Sequence, residues 1–330
     1  MDLELSDEQR WLSESVETLL TREWVGAERA FSAGDDERAR LWAALTEFGA
    51  LEDLGAVELC LIARALGAHL ASVPFLGSAA LGYAVPDVSE PVALALDEPG
   101  GDAPATEITA GRVTGTKVAV EHADAGRVAV LASEAGSPAL ALADAVEITA
   151  EPAFDVTVPT SEVTFAGSPA EVLDGSVERL LAIGGLLAAA EAVGAADRLA
   201  ILARDYAAER RQFGRTIGSY QALRHLLADM YTRRVSSWST VLYAAAALDD
   251  NLDGALQTTS IAKAYVARAA REVAHGALQV FGGIAFTQEH VAHRYLRRIV
   301  VRERQFGDAA HHERRLGRML AASATAGAVR

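Results

Sequence analysis

The segment RRQFGRTIGSYQALRHLLADM, residues 210–230, concentrates residue types that can bind an anionic group. Five basic side chains and two glycines stand there between two helix-like stretches. Arginine presents a planar fork of N–H donors, the N-terminus of a helix has unpaired N–H groups, and glycine lets the backbone approach a ligand closely. The alternative interpretation is a helical hairpin whose arginines pair with surface carboxylates.

A second segment with related properties, QVFGGIAFTQEH, follows at residues 279–290. It places Gln279 shortly before the adjacent glycines Gly282 and Gly283. Adjacent glycines remove the Cβ atoms that would keep a ligand away from the backbone. The second segment is therefore also a candidate binding element.

Two carboxylates, Glu191 and Glu121, are candidates for a catalytic base. Glu191 lies in an alanine-rich helical stretch, where we favour a structural role. Glu121 stands beside His122, and with Asp97 these residues could form an acid/base cluster. The polar edge of a strand explains the same residues and is the favoured interpretation. The residues alone therefore assign no catalytic base.

The chain divides into three regions by composition, and the order of the predicted elements is that of an α+β protein. Residues 1–90 predict a helical domain that begins with Ser6 as an N-cap. Residues 91–167 contain short β-branched stretches separated by Gly, Pro, Asp and Ser, which predict a small antiparallel β domain. Residues 168–330 contain long alanine-rich stretches joined by short turns, which predict an antiparallel four-helix bundle.

Composition and charge argue against several classes of protein. Hydrophobic residues make up 51% of the 330 residues, so disorder is not expected. A formal net charge of −15 argues against nonspecific nucleic-acid binding, because phosphate would be repelled. Cys60 is the single cysteine, which excludes a disulfide framework. The polar N-terminus and the lack of a long uninterrupted apolar run lead us to expect a cytoplasmic protein that does not enter a membrane.

Histidines and arginines near the C-terminus raise two further questions. His290 and His293 are spaced i, i+3, and His311 and His312 are adjacent, but no carboxylate or cysteine completes a convincing metal-ligand set. We therefore expect no bound metal. The arginines form a basic stripe that we expect to pair with acidic surface or with another subunit; they are Arg297, Arg298, Arg302, Arg304, Arg314, Arg315 and Arg318.

The two glycine-containing segments together resemble the motifs of acyl-CoA dehydrogenases, flavoproteins that desaturate acyl-CoA thioesters. The second is similar to Gln-x-x-Gly-Gly-x-Gly-(Phe/Tyr)-Thr-x-Glu, with Ala285 in place of the third glycine. The first is similar to an Arg-x-x-Phe-Gly turn followed by Gln on the next helix and by Ala-(Asp/Glu)-Met, here Arg210, Phe213, Gly214, Gln221, Ala228, Asp229 and Met230. The three-region layout resembles the family along nearly the whole chain.

The resemblance implies that both segments bind FAD. In the family they reach across a dimer interface and hold the ADP half of the neighbouring subunit's FAD. Arg210 would then face the pyrophosphate and Phe213 the adenosine side. The remaining contacts would come from Gln221, Gln279, Gly282 and Gly283.

The sequence departs from the family pattern at the catalytic base. Family members usually remove the substrate's α-proton with the glutamate of Tyr-Glu-Gly-Thr, and ungapped counting places Phe306 at that position and Gly307 at its glycine. Some members carry the base on the first long bundle helix instead, where this chain has Gly184. Neither Phe306 nor Gly184 can accept a proton.

A second departure concerns the flavin ring. The family holds the ring with a threonine before Glu-Pro-Gly and with Trp-x-Thr on a later strand. Here Asp97 stands at the first threonine, Ala119 at the tryptophan and Glu121 at the second threonine. Two carboxylates beside a ring that becomes anionic on reduction are unfavourable. The comparison with the family pattern therefore implies that this subunit's own ring site is lost.

These losses resemble the smaller, non-catalytic subunits of heteromeric actinobacterial acyl-CoA dehydrogenases of the steroid type. The leading hypothesis is an auxiliary subunit, in a heterotetramer that desaturates an acyl-CoA substrate, that lends FAD-binding residues to a full-length homologue. Two alternatives stay open. One is a flavin-free enzyme that uses Asp97, Glu121 and His122 for acid/base chemistry on an acyl thioester, and the other is a purely structural partner.

Overall fold

The computed structural model describes residues 3–85, 88, 91–100, 105–144 and 147–327, with side chains described as far as residue 321. The chain forms two compact units, each built from separate stretches of sequence. The helical unit comprises Met1–Ala30, Leu54–Ala71 and Gly185–Arg330, and the β unit comprises Phe31–Asp53 and Ser72–Gly184. The predicted division into three domains stays a prediction.

The described residues form nine α-helices and nine strands. The helices are α1 (Asp7–Glu23), α2 (Asp35–Glu47), α3 (Ala56–His69), α4 (Phe75–Ala84), α5 (Val177–Glu209), α6 (Gln221–Asp249), α7 (Ala255–Phe281), α8 (Ala292–Arg304) and α9 (Ala309–Gly327). The strands are β1 (Val92–Ala95), β2 (Glu107–Thr109), β3 (Arg112–Glu121), β4 (Arg127–Glu134), β5 (Ser137–Ala143), β6 (Glu147–Glu151), β7 (Thr160–Leu173), β8 (Arg211–Gln212) and β9 (Arg215–Thr216).

Helix α1 begins with the predicted N-cap. The Ser6 hydroxyl oxygen accepts a hydrogen bond from the Gln9 N–H at 3.2 Å, and the Gln9 side chain accepts one from the Ser6 N–H at 3.0 Å. This reciprocal pair is a capping box, which satisfies two N–H groups that the helix itself leaves unpaired. The buried residues Val16, Leu19 and Leu20 follow at helical spacing and form the inward face.

Helices α3 and α5 cross at a distance that only glycine permits. A Cβ atom on Gly67 would lie 2.0 Å from the carbonyl oxygen of Glu191, and one on Gly194 would lie 1.8 Å from the carbonyl oxygen of Arg64. Both distances are far inside van der Waals contact, so a side chain at either glycine would force the two backbones apart.

Helix α5 is buried along most of its length, including every residue from 182 to 197. It has the length and the apolar composition of a membrane-crossing helix, and 94% of its most apolar 18-residue window is buried inside the protein. Such burial is typical of a core helix that packs on more than one face. The alanine-rich sequence of α5 therefore reflects close helix packing.

The β unit contains a seven-stranded sheet in which five of the strands pair in a closed ring. Strand β4 pairs with β2, β2 with β3, β3 with β7, β7 with β5, and β5 with β4, while β1 joins β4 and β6 joins β7. The pairs β1–β4 and β2–β4 are parallel, and the other pairs are antiparallel. The predicted β region is confirmed as part of the fold, but the two parallel pairs were missed because strand composition does not identify the partner across a sheet.

Two apolar clusters form the core of the β unit. Val128 and Val130 of β4 belong to one cluster, and Ala129 between them belongs to the other. Alternate residues of a strand point to opposite faces, so β4 is covered on both sides. The second cluster includes Leu81 of α4 and Leu180 of α5, which cover one face of the sheet.

Candidate functional site

The first predicted binding segment forms a β-hairpin between α5 and α6. Its strands, β8 and β9, have two residues each. Phe213 and Gly214 form the two-residue turn with φ angles of 51° and 81°, as a type I′ turn requires. Glycine adopts this conformation readily, whereas phenylalanine does so at a cost in free energy. The Phe213 side chain is 92% exposed at the tip of the hairpin.

Arg210 and Gln221 flank the hairpin, and both are exposed. The Arg210 N–H donates to the carbonyl oxygen of Tyr206 at 2.8 Å, and its own carbonyl accepts from the Ile217 N–H at 2.8 Å. Gln221 is the first residue of α6, and no side-chain hydrogen bond from the N-cap, Tyr220, satisfies that end of the helix within the described structure. The N–H groups of its first turn are therefore available to an anion.

The second predicted segment lies at the C-terminal end of α7. Gln279 is exposed, and Gly282 has a φ of 68°, which favours glycine. A Cβ atom on Gly283 would meet no described atom within 4 Å. Packing inside the chain therefore does not explain this glycine, whereas close approach by an external molecule would. Phe286, just beyond, is 73% exposed.

A ring contact places the two segments at the same end of the helical unit. The rings of Tyr206 and Phe281 lie 5.2 Å apart, centroid to centroid. Tyr206 stands one helical turn before Arg210, and Phe281 immediately precedes Gly282. We call the hairpin with Arg210, the first turn of α6, and residues 279–286 the arm. The arm contains all six predicted cofactor-binding residues, and their role as ligands stays a prediction.

The predicted ring-side positions lie in the β unit. Asp97 follows β1, and Glu121 is the last residue of β3. Although Asp97 is exposed, desolvation by the surrounding protein raises the pKa of its carboxyl group, and Lys117 opposes this shift. A negative charge at Asp97 is therefore already disfavoured before any anionic group is placed beside it.

Lys117 was not identified from the sequence, and its ammonium group is bonded inside the β unit. Nζ lies 2.6 Å from Oε1 of Glu98 and 3.1 Å from the carbonyl oxygen of Leu96. Burial lowers the pKa of Lys117, and the hydrogen bond to Glu98 opposes the shift. These contacts engage the charge of Lys117 within the protein rather than in solvent.

Ala119 lies in an irregular stretch of β3, and His122 immediately follows that strand; their φ angles are 54° and 51°. The Ala119 N–H donates to the Glu151 carboxylate at 2.8 Å. His122 is buried, and its Nε2 lies 3.3 Å from the hydroxyl oxygen of Ser72. The acid/base cluster stays a prediction, and the structure places its histidine inside the β unit rather than at the surface.

Phe306 and Gly307 form the turn between α8 and α9, where the family pattern has its glutamate. Both have positive φ, of 60° and 95°. Nε2 of His312 lies 3.1 Å from the carbonyl oxygen of Phe306. Asp308, the carboxylate adjacent to the turn, accepts a hydrogen bond from the His311 N–H at 2.7 Å and so caps α9. The side chains of the turn itself offer no proton acceptor.

The amino group of Lys263 is buried at the C-terminal end of α8. Nζ donates to the carbonyl oxygens of Arg302 and Glu303, the second at 2.9 Å, where the helix dipole favours a positive charge. Burial lowers the pKa of Lys263 to about 7, and Glu303 opposes the shift. Burial also lowers the pKa of His312 to about 4, with Lys263 contributing.

Glu191 is buried in an ion-pair cluster with two arginines of α8. Nη1 of Arg298 donates to one carboxylate oxygen at 2.6 Å, and Nε of Arg302 donates to the other at 2.8 Å. Arg298 also donates to the carbonyl oxygen of Ala71 at 3.0 Å. Guanidinium groups therefore engage both carboxylate oxygens in charge-assisted hydrogen bonds. This geometry supports the structural role of Glu191 over its role as a base.

The same cluster corrects the expectation for the basic stripe. We expected the C-terminal arginines to pair with acidic surface or another subunit, and for Arg298 and Arg302 this is wrong because they are buried against Glu191. Arg294 is buried too, and its guanidinium donates to backbone carbonyls. The spacing of these three arginines, i, i+4 and i+8 on one helix face, was the signal available in the sequence.

The histidine pairs make contacts within the protein. The rings of His311 and His312 are 5.2 Å apart, and Nδ1 of His290 accepts a hydrogen bond from the Ala292 N–H at 3.1 Å. Among the residues that the structure describes, no group of three or more His, Cys, Asp or Glu side chains is placed to hold a metal ion.

Known proteins with similar sequences identify the family. Residues 175–321 match the family model described as acyl-CoA dehydrogenase, C-terminal domain. The chain is 30% identical over 310 residues to acyl-CoA dehydrogenase IpdE2 of Mycolicibacterium smegmatis, a match that covers 89% of this chain and 93% of the relative. This chain belongs to the acyl-CoA dehydrogenase family. Membership places it among FAD-dependent oxidoreductases and confirms the resemblance stated above.

Other acyl-CoA dehydrogenases match different shares of the chain. Acyl-CoA dehydrogenase FadE27 of Mycobacterium tuberculosis is 28% identical over 85% of this chain and 88% of its own length. Acyl-CoA dehydrogenase FadE34 of the same organism is 40% identical over 158 residues, which is 46% of this chain and 22% of the relative. The similarity to this relative is thus higher but restricted to part of each protein.

Solved structures confirm the acyl-CoA dehydrogenase fold. A chain of the ChsE4–ChsE5 complex from Mycobacterium tuberculosis superposes with a TM-score of 0.85 at 25% identity, covering 97% of this chain and 99% of that one. A chain of the Tcur3481–Tcur3483 steroid acyl-CoA dehydrogenase superposes with a TM-score of 0.86 at 23% identity, with the same coverage. At that lower identity the second match shows the fold alone.

Proposed function

We propose that this acyl-CoA dehydrogenase chain is the auxiliary subunit of a heteromeric enzyme that desaturates an acyl-CoA thioester. In this proposal the chain has no catalytic base of its own and lends its arm to FAD held by a full-length partner. The observation that carries the proposal is a contrast within the helical unit. Arg210, Phe213, Gln221 and Gln279 of the arm are exposed, whereas the side chains of the turn at Phe306 and Gly307 carry no proton acceptor.

The arm fits the ADP half of FAD. The Arg210 guanidinium is exposed, and the N-terminus of α6 has no side-chain cap; each of these features suits a pyrophosphate. Gly283 has open space where a Cβ would stand. Phe213, 92% exposed, supplies an aromatic face for the adenosine side. An exposed phenylalanine in a strained conformation is costly unless something covers it.

The ring-side residues do not fit the flavin ring. Asp97 and Glu121 bring two carboxylates, and desolvation already disfavours the charge on Asp97. The Ala119 N–H is bonded to Glu151, which takes one backbone donor that a ring could have used. These contacts support the loss of this subunit's own ring site, and no chemical step is assigned to a flavin ring there.

In this proposal the chain's own residues therefore bind and orient the cofactor. FAD, when bound, accepts the hydride that leaves the substrate. Arg210 and the first turn of α6 neutralise the pyrophosphate, Phe213 excludes water beside the adenosine, and Gln221 and Gln279 offer polar contacts at the edge of the arm. The partner carries the base that removes the α-proton, because Phe306 and Gly184 cannot accept one.

The relatives suggest the assembly and the substrate class. ChsE4–ChsE5 is a complex of two different chains, and Tcur3481–Tcur3483 is a steroid acyl-CoA dehydrogenase. By analogy we propose a heterotetramer with a full-length acyl-CoA dehydrogenase, a steroid-derived acyl-CoA as substrate, and a cytoplasmic role in lipid and steroid catabolism.

The test compares the chain alone with the chain co-expressed and purified with a full-length acyl-CoA dehydrogenase partner. Flavin absorbance and acyl-CoA oxidation are measured on both samples. We expect FAD and turnover in the complex and neither in the isolated chain. Stoichiometric FAD together with turnover by the isolated chain would contradict the proposal.

The two alternatives give different results in the same material. A flavin-free enzyme would hydrate or eliminate an acyl thioester without any electron acceptor and would lose that activity on Glu121→Gln. A purely structural partner would leave FAD retention by the complex unchanged when Arg210 is replaced by alanine. Neither outcome is expected if the arm binds the partner's FAD.

A further inference from the structure

The hairpin of the arm is too short to hold its own shape. Each strand has two residues, and a hairpin of two strands is at best marginally stable in water even when it is longer. Its turn contains Phe213 with a φ of 51°, a conformation that costs free energy for a residue with a Cβ. Some contact from outside the two strands must therefore keep the hairpin in place.

The side chain of Tyr220 contacts both strands. Its hydroxyl donates to the carbonyl oxygen of Gln212 in β8 at 3.2 Å, and Cζ of Arg215 in β9 lies over its ring, 3.9 Å from the centroid. Gln212 and Arg215 are partners in the pair that flanks the turn. We infer that Tyr220 is a positioning residue that braces the hairpin and thereby holds Arg210 and Phe213 where they meet the partner's FAD.

The backbone of Tyr220 ties this brace to α6. Tyr220 is the N-cap residue, and its N–H donates to the carbonyl oxygen of Ile217 at 3.1 Å. Its carbonyl accepts from the Arg224 N–H at 3.1 Å, and Nε of Arg224 donates to the carbonyl oxygen of Gly218 at 3.2 Å. Because these bonds use backbone atoms of Tyr220, a change of its side chain leaves the start of the helix intact.

The brace matters because the functional side chains of the arm lie in solvent. With 92% of its surface exposed, Phe213 is located mainly by the backbone that carries it. A hairpin that is ordered before binding loses less conformational entropy when the ligand arrives. Loss of the brace should therefore weaken FAD binding without changing any residue that touches FAD. This inference rests on the proposed function.

The test uses Tyr220→Phe, which keeps the ring under Arg215, and Tyr220→Leu, which removes both contacts. Tyr243→Phe and Tyr243→Leu are matched controls, because Tyr243 is an exposed tyrosine of α6, the helix that Tyr220 precedes. Amide hydrogen exchange of residues 211–216 is measured in the isolated chain, and the FAD dissociation constant is measured in the complex. We expect the exchange rates and the FAD dissociation constant to rise about threefold for Tyr220→Phe and about tenfold for Tyr220→Leu, with no change in the controls.

The outcomes separate the brace from the proposed function. Unchanged hairpin exchange in Tyr220→Leu would overturn the brace. Faster exchange with wild-type FAD affinity, in a complex that Arg210→Ala does weaken, would overturn positioning. If Arg210→Ala has no effect on FAD, the proposed function fails and positioning fails with it, while exchange still decides the brace. If Tyr220→Phe, which keeps the ring, retains more FAD affinity than Tyr220→Leu, the inference is supported. A general loss of stability would not depend on whether the ring is present.

Discussion

Arg210 of the arm is exposed at the end of α5, whereas Arg298 of α8 is fully buried against Glu191. Both residues are arginines on the helical unit, and both present the same planar fork of donors. The fork of Arg298 is used inside the protein, where it compensates a buried carboxylate. The exposed fork of Arg210 remains accessible to a ligand. The comparison shows that the groups around an arginine determine whether it stabilises the fold or remains available to bind a ligand.

The two regions also differ in how they hold a strained phenylalanine. Phe306, with a φ of 60°, has His312 near its carbonyl oxygen. Phe213, with a φ of 51°, stands at the tip of an exposed hairpin. The turn at Phe306 is held by a contact within the chain, whereas the side chain of Phe213 is left exposed to solvent.

Replacing Glu191 by alanine should have the largest effect. The change leaves Arg298 and Arg302 buried without the carboxylate between them, so we expect the free energy of unfolding to fall by about 3–5 kcal/mol. Urea denaturation followed by circular dichroism measures the change. The control is Glu272→Ala, which removes a surface pair with Arg233 and should cost less than about 1 kcal/mol. Equal losses in the two variants would contradict the internal role of Glu191.

Replacing Arg210 by alanine should weaken FAD binding and leave stability nearly unchanged, the opposite of the result expected for Glu191→Ala. We expect the FAD dissociation constant of the complex to rise by about tenfold to hundredfold, since a charge-assisted hydrogen bond is lost. The free energy of unfolding of the isolated chain should change by less than about 0.5 kcal/mol, because the side chain is exposed. Arg211→Ala, at the neighbouring exposed position, is the control and should retain FAD. A large loss of stability in Arg210→Ala would show that Arg210, like Glu191, has a structural role.

The buried region should also make stability depend on pH. The pKa of Lys263 is lowered from its ordinary value of 10.5 to about 7, so between these values the unfolded chain binds a proton that the folded chain does not. The contribution of Lys263 to the free energy of unfolding should therefore increase as pH rises through this window, by at most about 1.4 kcal/mol per pH unit. Denaturant titrations at several pH values measure the slope. Lys263→Met should flatten it, and identical slopes would refute the assignment.

The smallest expected effect lies at the tip of the arm. Asparagine tolerates a positive φ better than phenylalanine, so Phe213→Asn should raise the free energy of unfolding by less than about 1 kcal/mol. The same change should weaken FAD binding to the complex, because the exposed ring is lost. Thermal denaturation and FAD titration measure the two effects. Gly214→Ala, at a φ of 81°, should instead destabilise the chain. A destabilised Phe213→Asn would show that the turn is not strained.

Local signals carried the predictions that the structure confirms. Ser6 and Gln9 stand three residues apart, so the capping box at the start of α1 could be recognised without knowing the fold. The two arm segments are short motifs, and the family match to residues 175–321 includes both. The parallel pairs of β1 and β2 with β4 were missed, since they join strands that are not neighbours in sequence.

The sequence by itself determined the family, the α+β class and the residues of the arm, because each depends on residue types at short, fixed spacing. The tertiary structure alone decided which charges are buried. Arg298 and Glu191 are 107 positions apart in the chain, and no local pattern reports that they meet. The role inferred for Tyr220 likewise depends on the position of its ring beneath Arg215, which no local pattern reports. Burial and contact geometry depend on how distant segments pack, and that packing decides whether a charged group stabilises the fold or is left for a ligand.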